Sequence, residues 1–331
     1  MIPFTKAHAN GNDFLILDES LANRRHAALA QRFCARTTGI GADGIEFVDR
    51  RHRSGELFLR LFNADGSEAE LSGNGTRCVA AFLAHTEHRN EVILGTHGGP
   101  RHCRVLSSSG SVYQIETGMG TPRVMPRSLA FTGLPDGATE IEGAIVNVGN
   151  PHFVIFIDTP STPQSDLPSA SRTESQSTSQ SNLSSTSASD LRSASRSDTP
   201  SASEDADFSI HGLPWQELGR RIATDPRFPH GTNVEFVQVL APDRIAFRIF
   251  ERGCGPTASS GTGTCAAAAA AMALRGAARS LSALAEGGSQ HVVWRTPGSE
   301  MQLTGPAELL CQGQAFDPAA HLRAEVEDLA P

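Results

Sequence analysis

Short runs of β-branched and aromatic residues recur along the chain, as in IEFV (45–48), LRLF (59–62), HFVIFID (152–158), VEFV (234–237) and FRIF (247–250). Runs of this length closed by polar turns predict β-strands. Two stretches break the rhythm: GNGTRCVAAFLAH (73–85) and GTGTCAAAAAAMALRG (261–276) are dense in alanine, the strongest helix former, and each follows a serine. The second is apolar around almost its whole circumference, which predicts a helix enclosed by strands rather than one lying on a surface. A third helix is predicted over LPWQELGRRIA (213–223). Residues 161–207 are rich in serine and nearly free of aromatic residues. They are too polar to offset the entropy of ordering and predict a disordered insertion, where a loop lengthens at modest thermodynamic cost.

The same grammar occurs twice. LRLFNADGSEAELSGNGT (59–76) lies over FRIFERGCGPTASSGTGT (247–264) without a gap, so that Arg60 falls on Arg248, Phe62 on Phe250, Ser72 on Ser260, Gly73 on Gly261, Gly75 on Gly263 and Thr76 on Thr264. Two weaker matches keep the order: IEFV pairs with VEFV, and GNDFLILD (11–18) with GNPHFVIFID (149–158). Three matches in one order predict two homologous halves. The expected class is therefore α+β, built of two similar units.

Composition narrows the partner. A net charge of -8, a pI near 5.8 and the lack of a polybasic tract leave no footprint for nucleic acid, so a small molecule is the expected ligand. No apolar run approaches the roughly 18 residues of a membrane span, and the start, MIPFTKAHANGNDF, lacks the features of a signal peptide. No membrane association and a cytoplasmic location are expected. The six cysteines form no CxxC pair, which points to reduced thiols rather than a zinc site or a disulfide framework; no metal is expected.

The repeat also suggests chemistry. In both halves a serine precedes a Gly-x-Gly segment that opens a helix, the position of an N-cap. Free N–H groups and the positive end of the helix dipole make such a start a site for a carboxylate or phosphate. Each serine alone is equally well explained as a cap; the pairing is what favours function. Two opposed groups at one carbon suit two-base racemisation, in which one takes the α-proton and the other delivers a proton to the opposite face. A carboxylate held by both helix starts would carry the developing negative charge. No motif for pyridoxal phosphate, no dinucleotide fingerprint and no P-loop is recognisable, so no cofactor is expected.

With KAHANGNDFLILD (6–18), FNADGSEAELSGNGTRC (62–78), VGNPHFV (148–154), GTNVEFV (231–237) and FERGCGPTASSGTGTCAAA (250–268), the chain resembles the diaminopimelate epimerase family over nearly all of its length outside the serine-rich segment. The resemblance implies two similar domains, each a β-sheet or barrel around a central helix, with the active site in the cleft between them. The N-terminal domain would take residues 1–125 plus about 308–331, and the C-terminal domain 126–307 with the insertion at 161–207. It further implies a cofactor-independent homodimer acting on an amino acid. The proton-transfer positions fall on Ser72 and Ser260, and their general-base partners on His152 and Glu251. The substrate's reacting carboxylate would lie against the backbone of Gly73, Asn74, Gly261 and Thr262. Its distal end would meet Asn63, Asn233, Glu251 and Arg252, with Asn12 and Asn150 also lining the cleft.

The chain departs from the family at both proton-transfer positions, which are normally cysteine. A hydroxyl is a far weaker acid than a thiol with a pKa near 8.5, although hydroxyls do act when a base is bonded to them. Gly44 and Pro256 replace a frequent glutamine and glutamate. Cys78 and Cys265 lie one to two turns inside the helices, where they read as core thiols; Cys254 sits in a loop. His152 also reads as a core histidine, and Glu251 with Arg252 as a solvated turn, but the functional reading is favoured for His152 and the repeat, which sets Glu251 opposite Asn63, favours the cleft for that pair. Three functions stay open: interconversion of L,L- and meso-diaminopimelate, epimerisation or dehydration of a hydroxyproline-like substrate, and binding of an amino acid without turnover.

Overall fold

The computed structural model describes residues 1–52, 57–130, 140–157 and 214–317, all within one compact unit. The expected insertion at 161–207 and the chain beyond residue 317 lie outside the described residues. The first half runs β1 (Ile2–Ala9), β2 (Asn12–Asp18), α1 (His26–Cys34), β3 (Gly44–Asp49), β4 (Leu57–Asn63), β5 (Glu68–Ala69), α2 (Gly73–Glu87), β6 (Glu91–Gly95), β7 (Arg101–Ser109) and β8 (Val112–Gly118). The second runs β9 (Arg123–Ala130), β10 (Glu140–Asn147), β11 (Pro151–Phe156), α3 (Trp215–Ala223), β12 (Asn233–Ala241), β13 (Arg244–Glu251), β14 (Gly255–Thr257), α4 (Gly261–Leu274), β15 (Ser280–Ala285), β16 (Gly288–Val293) and β17 (Gln302–Ala315).

Strand pairing repeats with the sequence. In the first half β1, β2, β3, β4, β6, β7 and β8 pair in turn, and β17 joins β8 back to β1 to close the ring. In the second, β9, β10, β11, β12, β13, β15, β16 and β17 follow the same course. The parallel pairs fall at equivalent places: β2 with β3 and β11 with β12, then β4 with β6 and β13 with β15. The class is thus α+β, with two homologous units, each a β-layer around one helix.

Alanine explains how a helix fits inside each layer. In α4 every residue from Gly261 to Met272 is buried, packed against Val146, Phe247, Ile249, Leu281, Val292 and Leu303. The side chain of each alanine is a single methyl, so strands approach on all sides and the helix needs no polar face. In α2, Cys78, Val79, Ala80, Ala81 and Leu83 meet Phe14, Leu59, Leu94 and Ile115 in the same way. On the outer faces of the β-layers, α1 covers Phe47 and Phe62 while α3 covers Phe153 and Phe236.

The three expected helices are present with small differences at their ends. Helix α2 continues to Glu87 and stops where His88 turns left-handed (φ 57°). Helix α4 ends at Leu274, shortly before Gly276 (φ 67°). Helix α1 was not anticipated: its buried side is only His26, Leu29, Ala30, Phe33 and Cys34, too brief a stripe to stand out from the flanking strands. Ala268 is fully buried whereas Ala273 is exposed. Ala268→Leu is expected to cost about 1–3 kcal/mol in urea unfolding through overpacking, and Ala273→Leu less than about 0.5 kcal/mol.

Candidate active site

The two central helices begin against each other. A methyl group on Gly73 would lie 3.2 Å from Gly261 Cα, and one on Gly261 would lie 3.0 Å from Gly73 Cα. Only glycine permits this approach at both positions. Each helix has an extended serine as its N-cap: Ser72 (φ -122°, ψ 122°) accepts the Gly75 N–H at 3.0 Å, and Ser260 (φ -143°, ψ 128°) accepts the Gly263 N–H at 3.3 Å. Thr76 Oγ1 donates to the Ser72 carbonyl at 2.6 Å and Thr264 Oγ1 to the Ser260 carbonyl at 2.7 Å, so the two starts share their local bonding. Each serine Oγ uses one lone pair as a cap and keeps its hydrogen for another partner. The free N–H groups and positive dipole ends of both helices therefore meet at one place, which suits an anion.

Equivalent asparagines flank the junction. On one side Asp43 Oδ2 accepts from Asn12 Nδ2 at 2.7 Å, and Asn12 Oδ1 accepts from Asn74 Nδ2 at 3.2 Å. Asn74 Nδ2 also reaches the Ser259 carbonyl at 3.4 Å, crossing from one half to the other. On the other side Asn150 Nδ2 donates to Thr262 Oγ1 at 3.3 Å, while Asn150 Oδ1 faces His152 Nε2 at 2.8 Å. His152 is fully buried, and its Nδ1 lies 2.6 Å from Glu235 Oε1. Both ring nitrogens thus face side-chain oxygens, which fix the orientation of the imidazole. Burial raises the Glu235 pKa, and the neighbouring His152 charge and bond oppose that rise.

The residues expected at the substrate's distal end bond to one another and to adjoining turns. Asn63 Nδ2 donates to Ser67 Oγ at 3.0 Å, Asn233 Oδ1 accepts the Arg252 N–H at 2.9 Å, and Arg252 Nη1 donates to the His230 carbonyl at 2.6 Å. Asn233 stands beside His152 in the parallel register of β11 and β12. Glu251 is half-buried at the end of β13; burial raises its pKa, the 2.6 Å bond from Thr257 Oγ1 opposes this, and it also feels His152, Glu235 and Asp43. All six cysteines are free. Cys78 and Cys265 are fully buried, and burial pushes the Cys265 thiol up to about 12 and the Cys78 thiol further. Exposed Cys254 is pushed up too, by burial of its sulfur and by Glu251 beside it. None of these three thiols is disposed to replace a serine as proton donor.

Three polar residues at the site escaped the sequence reading. Glu235, the partner of His152, and Glu46, its counterpart in the repeat, are the single charges in IEFV and VEFV, and that pairing was the available signal. Both are buried, and burial alone lifts Glu46 to about 8. Arg77 is fully buried one turn into α2, where its Nη2 donates to Asn74 Oδ1 at 2.6 Å and fixes the amide. Gly305 leaves room for it: a methyl there would sit 3.3 Å from the Arg77 Cζ. Burial lowers the Arg77 pKa to about 10.

A sequence model described as diaminopimelate epimerase matches residues 4–125 and 204–310. A diaminopimelate epimerase from Pelotomaculum thermopropionicum is 31% identical, over 94% of this chain and 98% of its own. Another from Pseudomonas fluorescens is 32% identical, over 95% and 99%. Among solved structures the likeness is one of fold: a hydroxyproline epimerase from Agrobacterium vitis has a TM-score of 0.58 at 13% identity, covering 96% of this chain and 93% of that one. A phenazine biosynthesis protein from Bacillus anthracis has a TM-score of 0.59 at 11% identity, covering 96% and 99%. The paired-unit fold is thus one shared with epimerases. Within that class the chain belongs to the diaminopimelate epimerase family, a family of isomerases.

Two measurements probe this geometry. Gly73→Ala combined with Gly261→Ala requires the helix starts to give way by tenths of an ångström and is expected to lower kcat, at a stability loss of about 1–3 kcal/mol. Folded Glu46 holds its proton up to about 8, whereas the unfolded carboxyl releases it near 4.5. Across that window the folded chain binds the extra proton, so stability falls as pH rises. The stability advantage of Glu46→Gln over the parent in denaturant titrations is expected to grow by about 1 kcal/mol per pH unit between pH 5 and pH 8.

Proposed function

We propose that the chain interconverts L,L- and meso-2,6-diaminopimelate by cofactor-independent, two-base proton transfer. The observation that carries this reading is the head-on meeting of two serine-capped helix starts at Gly73 and Gly261. The α-carboxylate would seat against the N–H groups of Gly73, Asn74, Gly261 and Thr262, with the α-carbon between Ser72 and Ser260. One serine, as its alkoxide, takes the α-proton and becomes a hydroxyl. The other gives its hydroxyl proton to the opposite face and becomes the alkoxide, so the enzyme is left with the two roles exchanged. Negative charge on the carboxylate rises in between, and fixed N–H dipoles stabilise that state more than the ground state.

His152 with Glu235, and Glu251, are the bases on this reading. Burial raises the proton affinity of Glu235 and Glu251, which offsets the weak acidity of a hydroxyl. Asn63, Asn233, Glu251 and Arg252 would hold the distal amino-acid end. An exposed arginine beside asparagine suits a second carboxylate and amine better than the ring of a proline. The named relatives, similar over almost their full length, support the same substrate. Action in the cytoplasm, as a homodimer serving lysine and peptidoglycan synthesis, completes the proposal.

A substrate panel tests it. Diaminopimelate is expected to be isomerised, with proline and hydroxyproline at least 100-fold poorer. His152→Ala and Glu251→Ala are each expected to lower kcat by 100-fold or more, within the usual range for a lost general base. Turnover of hydroxyproline in preference to diaminopimelate, or unchanged kcat in both variants, would overturn the assignment.

A further inference from the structure

The repeat places a buried carboxyl behind each helix start, but only one of the two has a basic partner. In the second half, the parallel register sets His152 against Asn233 and Val154 against Glu235. In the first half it sets Phe14 against Gly44 and Ile16 against Glu46. Phe14 thus stands where the other half has its histidine, and Glu46 lacks the ring that Glu235 bonds. Its side chain is 2% exposed and lies against Gly75, so closely that a methyl on that glycine would collide with the carboxyl oxygen. Gly75 is the residue whose N–H the Ser72 hydroxyl caps. The carboxyl therefore sits under the first turn of α2, beside the backbone that would hold the substrate's carboxylate.

We propose that Glu46 is a positioning residue that sets the charge under the α2 start: neutral, it leaves the helix end free to hold the substrate's carboxylate, and ionised, it opposes that anion. This rests on the reading of Gly73 and Asn74 as part of the carboxylate seat. The charged and titratable groups around Glu46 fit the role. On α2 the Cys78 thiol feels Glu46 and is held protonated, while Arg77 donates through Nη2 to Asn74 and burial is the one influence that shifts Glu46. On β2, Asp13 is met by Lys6 at 3.1 Å and Arg36 at 2.9 Å. A proton is thus the countercharge within reach of Glu46, and burial favours keeping it. Because linkage is reciprocal, a seated carboxylate must make Glu46 hold its proton more tightly.

The test is the pH dependence of KM and kcat for L,L-diaminopimelate in the parent and in Glu46→Gln, from pH 6.5 to pH 9.5. The ratio of parent KM to variant KM is expected to rise at least tenfold across that range, with the ratio of kcat values changing by less than threefold. A constant KM ratio with normal turnover would overturn this role for Glu46 and leave the site reading standing. Loss of diaminopimelate binding by both proteins at every pH would overturn the site reading and this role with it. A second measurement needs no variant: calorimetry of diaminopimelate binding to the parent in two buffers of different ionisation heat. Net proton uptake is expected at pH 8.5 and little at pH 6.5; equal uptake at both would contradict the role.

Discussion

Two helices that start against each other put like dipole ends together, and much of the site is a response to that constraint. Neither helix start is relieved by an acidic residue in its first turn. The contact between Gly73 and Gly261 persists because each helix is enclosed by its own strands, through alanine methyls in α4 and the Val79 to Leu83 segment in α2. Packing over the length of both helices thus holds in place an electrostatic arrangement that would not form by itself. Such an arrangement suits an anion between the two ends.

The surrounding polar residues keep this arrangement ordered without neutralising it. Asn12 and Asn150 bond to the second residues of the two helices, Asn74 and Thr262, and leave the backbone N–H groups to a ligand. Burial then makes the carboxyls strong proton holders. The carboxyls of Glu235, Glu251 and Glu46 are each shifted upward by the same removal of water that strengthens the helix ends toward a carboxylate. On the proposed reading, where hydroxyls stand at the proton-transfer positions, the raised proton affinity of the buried carboxyls is the physical compensation.

Much of this was legible in the sequence because it is local or repeated. The enclosed character of α4 follows from its alanine run, the N-caps from serine before Gly-x-Gly, and the paired units from the alignment of Ser72 with Ser260. What was not legible depends on distant contacts. His152 meets Glu235 across 83 residues of chain, a span that includes the serine-rich segment. Arg77, in a helix that looked merely alanine-rich, is buried because Gly305 on β17 leaves room for it. The closure of the first ring by β17 joins the two ends of the sequence, and no short-range pattern encodes that pairing.

The account is tested most directly by proton NMR of L,L-diaminopimelate with the protein in heavy water, at early times. Two separate proton-transfer groups require that the meso product carry deuterium at the inverted carbon while the remaining L,L substrate keeps its α-protons. Loss of substrate α-protons without inversion would contradict the two-base account, because one group would then be removing and returning the proton on the same face.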